Sequence, residues 1–391
     1  MKPKTFLAKS IATLIATGIT LTSALHALPL GEQVRAGSAT FSRTGPMLDI
    51  RTSDRAIINY QSFSIGSGER VNFLQPGAQS ITLNRVTAPN PSQIFGTLTS
   101  NGQIVLANPY GIFFQNGSVV NVGGLVAGAG HIADSDFLAG RINFSSLTGD
   151  VENRGKITAV SDVGLYGAHV SNEGTITSQK GTVTLAAGSS VYVGESGGNI
   201  FVGTAPAAIP KARVVSRPGV SNSGTITAPK ASLVAGDMYG IAIAQSGTII
   251  SGDIAISAGK GGGVDVSGRI DASNRAPGKT GGRIKLKGET INIRDTATLD
   301  ASGSAGGGGI LLEGRHNPTM PTTVTSSGRL LARGEGTGAN GGTVQMTGEH
   351  VGLLGNAVVD VSGDGGGGTA LIGGDYQGRN PDIQNANRTY V

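Results

Sequence analysis

An eight-residue pattern that recurs three times constrains the fold of this chain more than any other feature. The pattern Val-x-Asn-x-Gly-x-Ile-Thr occupies residues 151–158, 170–177 and 220–227. The spacing of the first two copies suits one coil of a solenoid. The third copy follows at a much greater distance, and the Pro-containing stretch 205–218 that precedes it is interpreted as a loop extruded from a coil. The repeat therefore predicts stacked coils.

Each copy places an asparagine at an equivalent corner, at Asn153, Asn172 and Asn222. In stacked coils such side chains can hydrogen-bond to one another up the stack. The alternative is that each asparagine only tolerates the left-handed conformation in its own turn. Both interpretations are compatible with the same fold.

A second repeat family begins near residue 265 and has a period close to thirty residues. Pairs of glycines followed by an alternating strand accompany it at Gly281, Gly308, Gly341 and Gly367. Its aspartates recur at repeat positions, at Asp265, Asp271, Asp300 and Asp360. We interpret them as a solvated corner, because a catalytic cluster is expected to break the repeat.

Composition agrees with a solenoid. The chain has 65 Gly, only 4% aromatic residues and no Trp among its 391 residues. Tight corners use glycine, and coils bury one another through stacked aliphatic residues rather than around a globular centre. We predict an all-β protein, a right-handed parallel β-helix with extra N-terminal capping strands. The competing sandwich or barrel needs antiparallel hairpins and normally lacks such a period.

The segment 1–27 has the pattern of an export signal. Lys2, Lys4 and Lys9 precede an apolar run at 11–21, which is shorter than the roughly 20 residues of a spanning helix. Without these three lysines the chain has 27 basic and 25 acidic residues, and basic residues are not clustered among aromatics. Nucleic-acid binding is therefore not predicted. With no Cys, stability must come from packing and backbone pairing.

Catalytic groups are sparse. The five His show no ligand spacing, so neither a metal site nor a cofactor is predicted. The Gly-Glu-Ser-Gly-Gly run at 194–198 matches a nucleophile elbow by letters, but lacks a strand-to-helix context. No catalytic residue is assigned, and the chain is predicted not to be an enzyme.

The stretch 101–127, NGQIVLANPYGIFFQNGSVVNVGGLVA, combines turn signals with short apolar runs. It predicts strands at 103–107, 112–115 and 118–122. Between the first two, residues 108–111 fit a type I turn with Asn at its first position, Pro at its second and Gly at its fourth.

The run from Arg85, RVTAPNPSQIFGTLTSNGQIVLANPYGIFFQNGSVVNVGGLVA, resembles the signature of the secretion domain of two-partner-secreted exoproteins, the filamentous haemagglutinin and high-molecular-weight adhesin family. The usual core, Asn-Pro-Asn-Gly-Ile, stands here as residues 108–112 with Tyr110 as the departure. The third position of a type I turn accepts most residues, so the turn is expected to survive. The resemblance assigns 28–250 to this domain and 251–391 to Gly-rich repeats at the start of an adhesin rod.

The resemblance implies a route out of the cell. The domain is recognised by a partner outer-membrane β-barrel transporter with periplasmic domains, and the protein reaches the cell surface or medium of a Gram-negative-type bacterium. The signature residues that the resemblance assigns to this step are Asn90, Pro91, Asn108, Pro109, Gly111 and Ile112. The alternative is that they only close turns of the fold.

Three functions of the exported part stay open at this point. A surface adhesin or haemagglutinin needs no active site, and its partner is a host-cell or surface glycan receptor. A β-helix enzyme acting on polysaccharide is the second. The third is the stalk of a contact-dependent toxin, in which case the chain is the front of a longer product.

Overall fold

The computed structural model describes residues 27–193, 200–203, 217–237, 239–316 and 321–391. The predicted export signal up to residue 26, the run at 194–198 and most of the predicted loop at 205–218 lie outside these ranges. The described residues are almost all in β-structure or in the turns between strands. No helix in these ranges is long and apolar enough to cross a membrane.

The strands are short and follow one another closely along the chain. The first thirteen, with one helix, are β1 (Gln33–Ala36), β2 (Ala39–Thr44), β3 (Met47–Thr52), β4 (Ala56–Tyr60), β5 (Arg70–Leu74), β6 (Ile81–Val86), β7 (Ser92–Ile94), β8 (Thr97–Ser100), β9 (Gln103–Ala107), β10 (Ile112–Phe114), β11 (Val119–Val122), β12 (Gly124–Gly128), α1 (Asp134–Leu138) and β13 (Ile142–Phe144). The next thirteen are β14 (Val151–Asn153), β15 (Lys156–Ala159), β16 (Val163–Gly167), β17 (Val170–Asn172), β18 (Thr175–Ser178), β19 (Thr182–Ala187), β20 (Ser190–Val193), β21 (Ile200–Gly203), β22 (Val220–Asn222), β23 (Thr225–Thr227), β24 (Lys230–Ala235), β25 (Ile241–Gln245) and β26 (Thr248–Ile250). The last are β27 (Asp253–Ala258), β28 (Gly263–Val266), β29 (Arg269–Asp271), β30 (Arg283–Gly288), β31 (Thr290–Ile293), β32 (Thr298–Asp300), β33 (Gly309–Gly314), β34 (Thr323–Ser326), β35 (Arg329–Leu331), β36 (Thr343–Thr347), β37 (His350–Leu353), β38 (Val358–Asp360), β39 (Thr369–Ile372) and β40 (Arg388–Tyr390), with a 3-10 turn at Tyr376–Gly378.

Three long sheets wrap around one core. The first sheet has the order β1-β4-β6-β9-β12-β16-β19-β24-β27-β30-β33-β36-β39, the second β7-β10-β14-β17-β22-β25-β28-β31-β34-β37-β40, and the third β2-β3-β5-β8-β11-β15-β18-β23-β26-β29-β32-β35-β38. Each complete coil adds one strand to each sheet, and successive coils pair in parallel. This is a parallel β-helix, as predicted.

The two strands at the N-terminal end of the stack are antiparallel. β1 pairs with β4 and β2 pairs with β3 in this orientation. They occupy the ends of the first and third sheets. The predicted N-terminal capping strands are thus present.

The core is a set of stacked aliphatic columns. On the inner face of the third sheet, each coil places one aliphatic side chain directly over that of the coil before it. This column is Leu48, Val71, Leu98, Val120, Ile157, Ile176, Ile226, Ile249, Ile270, Leu299, Leu330 and Val359. All but Val359 are fully buried, so each coil completes the burial of the preceding one.

Glycine is required where backbones of successive coils approach closely. A Cβ atom on Gly174, Gly224, Gly247 or Gly268 would lie 2.1 Å from the carbonyl oxygen of the glycine one coil earlier. These are the glycines of the repeat and their counterparts in later coils. A second column behaves alike at Gly282, Gly308, Gly342 and Gly368, where a Cβ would lie 1.9 to 2.1 Å from the carbonyl oxygen of the glycine one coil earlier. The high glycine content is therefore a packing requirement of the stack.

An extra layer covers part of the outer face of the first sheet. β13, β20 and β21 form a separate antiparallel sheet, and α1 precedes it. Phe137, Phe144 and Tyr166 are buried in a second apolar cluster with outward-facing residues of the first sheet. The Phe144 and Tyr166 rings lie 5.9 Å apart. The repeat did not predict this layer, because the layer interrupts the repeat.

The coils become longer along the chain. In the third sheet Lys156 pairs with Thr175, whereas Arg269 pairs with Thr298, so the later partners are farther apart in sequence. The additional residues form Gly-rich loops between the third and first sheets, and these loops are joined by single bridges such as Gly303 to Gly334. The predicted period near thirty residues thus applies to the later coils.

The repeated aspartates do not form one solvated corner. Asp265 lies in the second sheet, between Ala244 and Asn292 of the neighbouring coils. Asp271 and Asp300 are register partners in the third sheet. Asp300 is only 2% exposed. The predicted common corner is therefore wrong for Asp265, and the predicted solvation is wrong for Asp300.

Candidate functional site

The signature turn joins β9 of the first sheet to β10 of the second. The Gly111 N–H donates to the Asn108 carbonyl at 3.0 Å, which closes the four-residue turn. The Asn108 Oδ1 also accepts from the Tyr110 N–H at 3.0 Å. Gly111 has a φ of 107°, a backbone conformation that residues other than glycine rarely adopt. The residue types of the motif thus match the needs of the turn.

Asn108 joins this turn to the coil before it. Its side chain is fully buried, and Nδ2 donates to the Asn90 carbonyl and to Ser92 Oγ, both at 3.0 Å. Both protons of the amide are therefore used, and its oxygen is occupied by the turn. An aspartate in this position has no proton to donate, so the Asn90 carbonyl and Ser92 Oγ would both lose their donor.

Gly111 and Ile112 continue the connection in both directions along the stack. The Gly111 carbonyl accepts from the Ser92 N–H at 3.0 Å. Ile112 is fully buried, and its N–H donates to the Asp150 carbonyl of the following coil at 2.9 Å. The signature corner is thus the middle layer of three coils.

The predicted signature residues divide into an inner and an outer group. Asn108, Gly111 and Ile112 are buried, whereas Pro91 is exposed and Asn90 and Pro109 are half-buried. The Asn90 Nδ2 donates to the Gln61 carbonyl at 3.1 Å. The structure therefore brings the two segments, separate in the sequence, together at one corner.

A groove of about 610 Å³ opens beside the turn. Its lining comes from the preceding coil, the turn itself and the following coil, and consists of Arg85, Val86, Thr87, Pro109, Tyr110, His131, Thr148 and Gly149. Tyr110 is 52% exposed at its rim. Arg85 donates to the Ile132 carbonyl at 2.9 Å and to Asp134 at 2.5 Å, so α1 holds the guanidinium at this place. The sequence did not indicate this groove, because its walls are distant along the chain.

The three repeat asparagines lie inside the second sheet, on the same column as Phe114 of the signature coil. Asn153 Nδ2 donates to Asn172 Oδ1 and Asn172 Nδ2 to Asn222 Oδ1, each at 2.7 Å. Asn222 Nδ2 donates onward to Gln245 Oε1 at 2.8 Å. These hydrogen bonds form a ladder along the stack. The alternative, a left-handed turn conformation, does not apply, because none of the three asparagines has a positive φ. Gln245 was missed because its coil lacks the repeat pattern.

Asp300 is the most buried of the repeated aspartates, and its carboxylate is paired. Among the described residues, no group of three or more His, Cys, Asp or Glu is placed to hold a metal ion. Asp300 accepts from Arg275 Nη2 at 2.9 Å and from the Ser302 N–H at 3.0 Å. Burial disfavours the charged carboxylate, but these hydrogen bonds outweigh burial, so the pKa of Asp300 lies below its ordinary value. The acid is therefore held ionised within an ion pair.

Comparison with known proteins gives two kinds of similarity. A heme/hemopexin-binding protein of Haemophilus influenzae strain Rd is 35% identical over 226 residues, which are 54% of this chain and 24% of that protein. A second heme/hemopexin-binding protein of Haemophilus influenzae is 42% identical over 93 residues, 23% of this chain and 10% of that protein. The similarity thus spans about a quarter or less of the length of these relatives.

The fold is also similar to a solved structure. The crystal structure of the HMW1 secretion domain from Haemophilus influenzae superposes with a TM-score of 0.70 at 26% identity, covering 86% of this chain and 99% of that one. The profile of the TPS secretion domain matches residues 32–286, which include the signature corner, the groove and the asparagine ladder. This chain therefore belongs to the two-partner secretion family, whose TPS secretion domain is found in exoproteins that are exported with a partner protein.

Proposed function

We propose that the secretion domain directs export through an outer-membrane β-barrel transporter with periplasmic domains, and that the signature corner shapes the surface that this transporter recognises. The buried Asn108 side chain is the observation that carries the proposal. It fastens the 108–112 turn to Asn90 and Ser92, so both signature segments are presented together. The domain boundary at residue 250 stays a prediction, since the family match extends to residue 286.

The outer group supplies the contacts, and the inner group holds them in place. Tyr110 and Pro91 are exposed on neighbouring coils, and the groove next to Tyr110 is open to an extended segment. Asn108 is fully buried in the folded domain, so its part is to position the turn. An extended segment of the transporter fits this groove, because five of its eight lining residues are small or of medium size, namely Val86, Thr87, Pro109, Thr148 and Gly149.

The stacked coils support the proposed export route. The segment 1–27 brings the chain to the periplasm, and the coils stack outside the cell after passage through the barrel. Each added coil buries the apolar face of the one before, which opposes sliding back through the transporter. The product is therefore extracellular or held at the surface of a Gram-negative-type bacterium.

Replacement of the inner and outer groups separates positioning from contact. The Asn108→Ala, Pro109→Ala double variant and Asn108→Asp should both accumulate in the periplasm, because the link to Asn90 is lost. Tyr110→Ala should reduce export without changing the folded stability of the purified domain. Tyr110→Asn, which restores the usual family residue, is the matched control and should be exported normally. The measurement is the protein in the medium relative to the periplasm, in cells that contain the partner barrel.

Deletion of the barrel gene sets the baseline for these variants, since no export is expected without it. Undiminished export of the Asn108, Pro109 double variant would contradict the role of the corner. Undiminished export of Tyr110→Ala together with a defect in Asn108→Asp would place the contact elsewhere and leave a positioning role for the corner.

The remaining coils, residues 251–391, are proposed as the start of a non-enzymatic adhesin or haemagglutinin rod with a host-cell or surface glycan receptor. The repeated acids are tied to arginines, as in the contact of Asp271 with Arg269 at 2.7 Å, which supports a structural use. Asp271→Asn and Asp300→Asn should leave adhesion of intact cells unchanged. Sugar release from acidic polysaccharides that these changes abolish would favour the enzymatic alternative.

The similar Haemophilus influenzae proteins add a second candidate for the exported protein, the binding of heme or hemopexin. The 35% identity over 226 residues is the observation that favours it. Immobilised heme and immobilised hemopexin, each offered to the secreted protein, test the idea against an unloaded matrix. If neither immobilised heme nor immobilised hemopexin retains the protein, the heme or hemopexin candidate is wrong and the adhesin proposal remains.

A further inference from the structure

Three Asn-Gly dipeptides in this chain have the same chemistry but very different surroundings. They are Asn101-Gly102, Asn116-Gly117 and Asn340-Gly341. In an Asn-Gly pair the backbone nitrogen of glycine can attack the asparagine side-chain carbonyl, because glycine has no Cβ to obstruct the approach. Whether this occurs in a folded protein depends on whether the amide and the nitrogen are free to move.

Asn101-Gly102 is held at both reacting groups. The Asn101 Oδ1 accepts from the Gln75 N–H and its Nδ2 donates to the Gln75 carbonyl, each at 2.7 Å. The Gly102 N–H donates to Ser100 Oγ at 3.0 Å, and Gly102 is buried. Three hydrogen bonds must break before the ring can close.

Asn340-Gly341 is held at the attacking atom, the backbone nitrogen of Gly341. The Gly341 N–H donates to the Gly366 carbonyl of the following coil at 2.9 Å. Its Cα is also packed against the backbone, because a Cβ there would lie 1.8 Å from the Val361 carbonyl oxygen. The backbone at this position is therefore fixed between two coils.

Asn116-Gly117 is free at both groups. Both residues are exposed, and no hydrogen bond of the described residues involves the Asn116 side chain or the Gly117 N–H. The Ser118 N–H donates to the Gln115 carbonyl at 3.0 Å and closes the turn. Within the described part of the chain, no atom lies within 4 Å of a Cβ built on Gly117. The dipeptide projects because this corner has four residues between strands, whereas the next coil has only residues 154–155 there.

We propose that Asn116 is a site of spontaneous deamidation in the folded protein, and that the fold protects Asn101 and Asn340. The Gly117 nitrogen forms a bond to Cγ of Asn116 and gives up its proton, and ammonia leaves from Cγ. Water then opens the resulting succinimide at either carbonyl, which yields aspartate or isoaspartate. The corner gains one negative charge, and in the isoaspartyl product the main chain gains one methylene between β10 and β11.

Incubation of the purified, folded protein at mildly alkaline pH tests this inference independently of export. Peptide mapping by mass spectrometry and isoaspartyl methyltransferase labelling follow each dipeptide. Each hydrogen bond that must break is expected to slow ring closure roughly fivefold, so Asn101 should react on the order of a hundredfold more slowly than Asn116. Asn340 should react roughly fivefold or more slowly than Asn116 by the same reasoning.

The same protein unfolded in denaturant is the internal control, and there the three sites should react at similar rates. Asn116→Gln should abolish the native-state signal without changing the rate at the other two sites. Equal rates at all three sites in the folded protein, or a faster rate at Asn101, would overturn the proposal.

Discussion

Neighbouring coils are linked by neutral amides in residues 151–250 and by charged groups in residues 269–369. In the earlier coils, the link runs through the interior as a column of neutral amides, from Asn153 to Gln245. In the later coils the link lies at the corner after the third sheet and is charged. There Arg275 contacts Asp300 at 2.9 Å and Glu335 at 2.7 Å. The neutral ladder accompanies short coils and the charged corner accompanies long ones.

A longer coil requires a stronger link between neighbouring coils. A corner of two residues fixes the next strand by itself, so an amide in the core is sufficient to set the register. A Gly-rich loop of several residues has more conformations to lose, and hydrogen bonds from charged groups are about twice as strong as neutral ones. Asp271, Asp300 and Asp360 each also accept from the N–H two residues later, at 2.9 to 3.0 Å, which orders the start of each loop.

The glycine columns are common to both regions and should give the largest effect. Gly224→Ala and Gly308→Ala each place a Cβ 2.1 Å from a carbonyl oxygen of the previous coil. Because the backbone must move to relieve the overlap, each of these two substitutions should lower the free energy of unfolding by about 3 kcal/mol. Urea denaturation followed by circular dichroism measures this loss.

Each change has a neighbour that serves as its control. Among the residues that the structure describes, no atom lies within 4 Å of a Cβ built on Gly240 or Gly309. Gly240→Ala and Gly309→Ala should therefore be neutral or slightly stabilising. A similar loss in the controls would show that the columns are not the cause.

Interruption of the amide ladder should give the next largest effect. Asn172→Leu removes the partners of Asn153 Nδ2 and of Asn222 Oδ1, both buried. The free energy of unfolding should fall by about 2 kcal/mol, the cost of unpaired buried polar groups. Ser221→Ala, on the other face of the same sheet, should change it by less than about 0.5 kcal/mol. A neutral Asn172→Leu would mean that aliphatic packing alone sets the register.

Acid should distinguish the two regions. Burial disfavours the charged forms of Asp271 and Asp300, but hydrogen bonds from neighbouring serines and arginines outweigh burial, so both pKa values lie below the ordinary value. A lowered folded-state pKa means that the stabilisation is complete above the unfolded-state pKa of about 3.9 and is lost as pH falls through the folded-state value. The later coils should therefore open in strong acid before the amide-linked coils do.

Limited digestion with pepsin over a descending pH series, with fragments located by mass spectrometry, detects this order. Cleavage should begin within residues 269–369. The Asp300→Asn variant has no carboxylate to protonate at this position, so the pH dependence of cleavage in this region should be weaker. Simultaneous cleavage of both regions in the wild-type protein would contradict the proposed difference.

An exposed ion pair should give the smallest effect. Arg294 contacts both oxygens of Asp265 at 2.8 and 3.0 Å, but the two side chains are 54% and 36% exposed. Asp265→Asn should change the free energy of unfolding by less than about 0.5 kcal/mol, because water screens the pair. A larger change in urea denaturation would show that geometry matters more than burial at this corner.

Much of the solenoid could be predicted from local patterns. The register of residues 151, 170 and 220 follows the repeat, and the strands at 103–107 and 112–114 lie where the turn signals indicate. The outer layer of α1 and β13 could not be predicted in this way, because its residues have no period. The role of Gln245 could not be predicted either, because its coil lacks the repeat pattern and its hydrogen bond from Asn222 depends on how the coils stack.

The signature corner shows the same division. The spacing of Asn108, Pro109 and Gly111 predicted the turn, and the wider run predicted the family. The bond from Asn108 to the Asn90 carbonyl depends on the coil that places one residue over the other. The exposure of Tyr110 beside a groove depends on three coils at once.

The type of coil could be predicted from the sequence, because turn residues and alternating apolar residues act over a few neighbours along the chain. Which polar groups are buried, paired or free depends on how the coils stack, and this could not be predicted from local patterns. Asp300 and Asp265 look alike in the sequence, yet Asp300 is buried at the charged corner and Asp265 is half-buried in another sheet. Their environments differ because each side chain is surrounded by residues from neighbouring coils, which are distant along the chain.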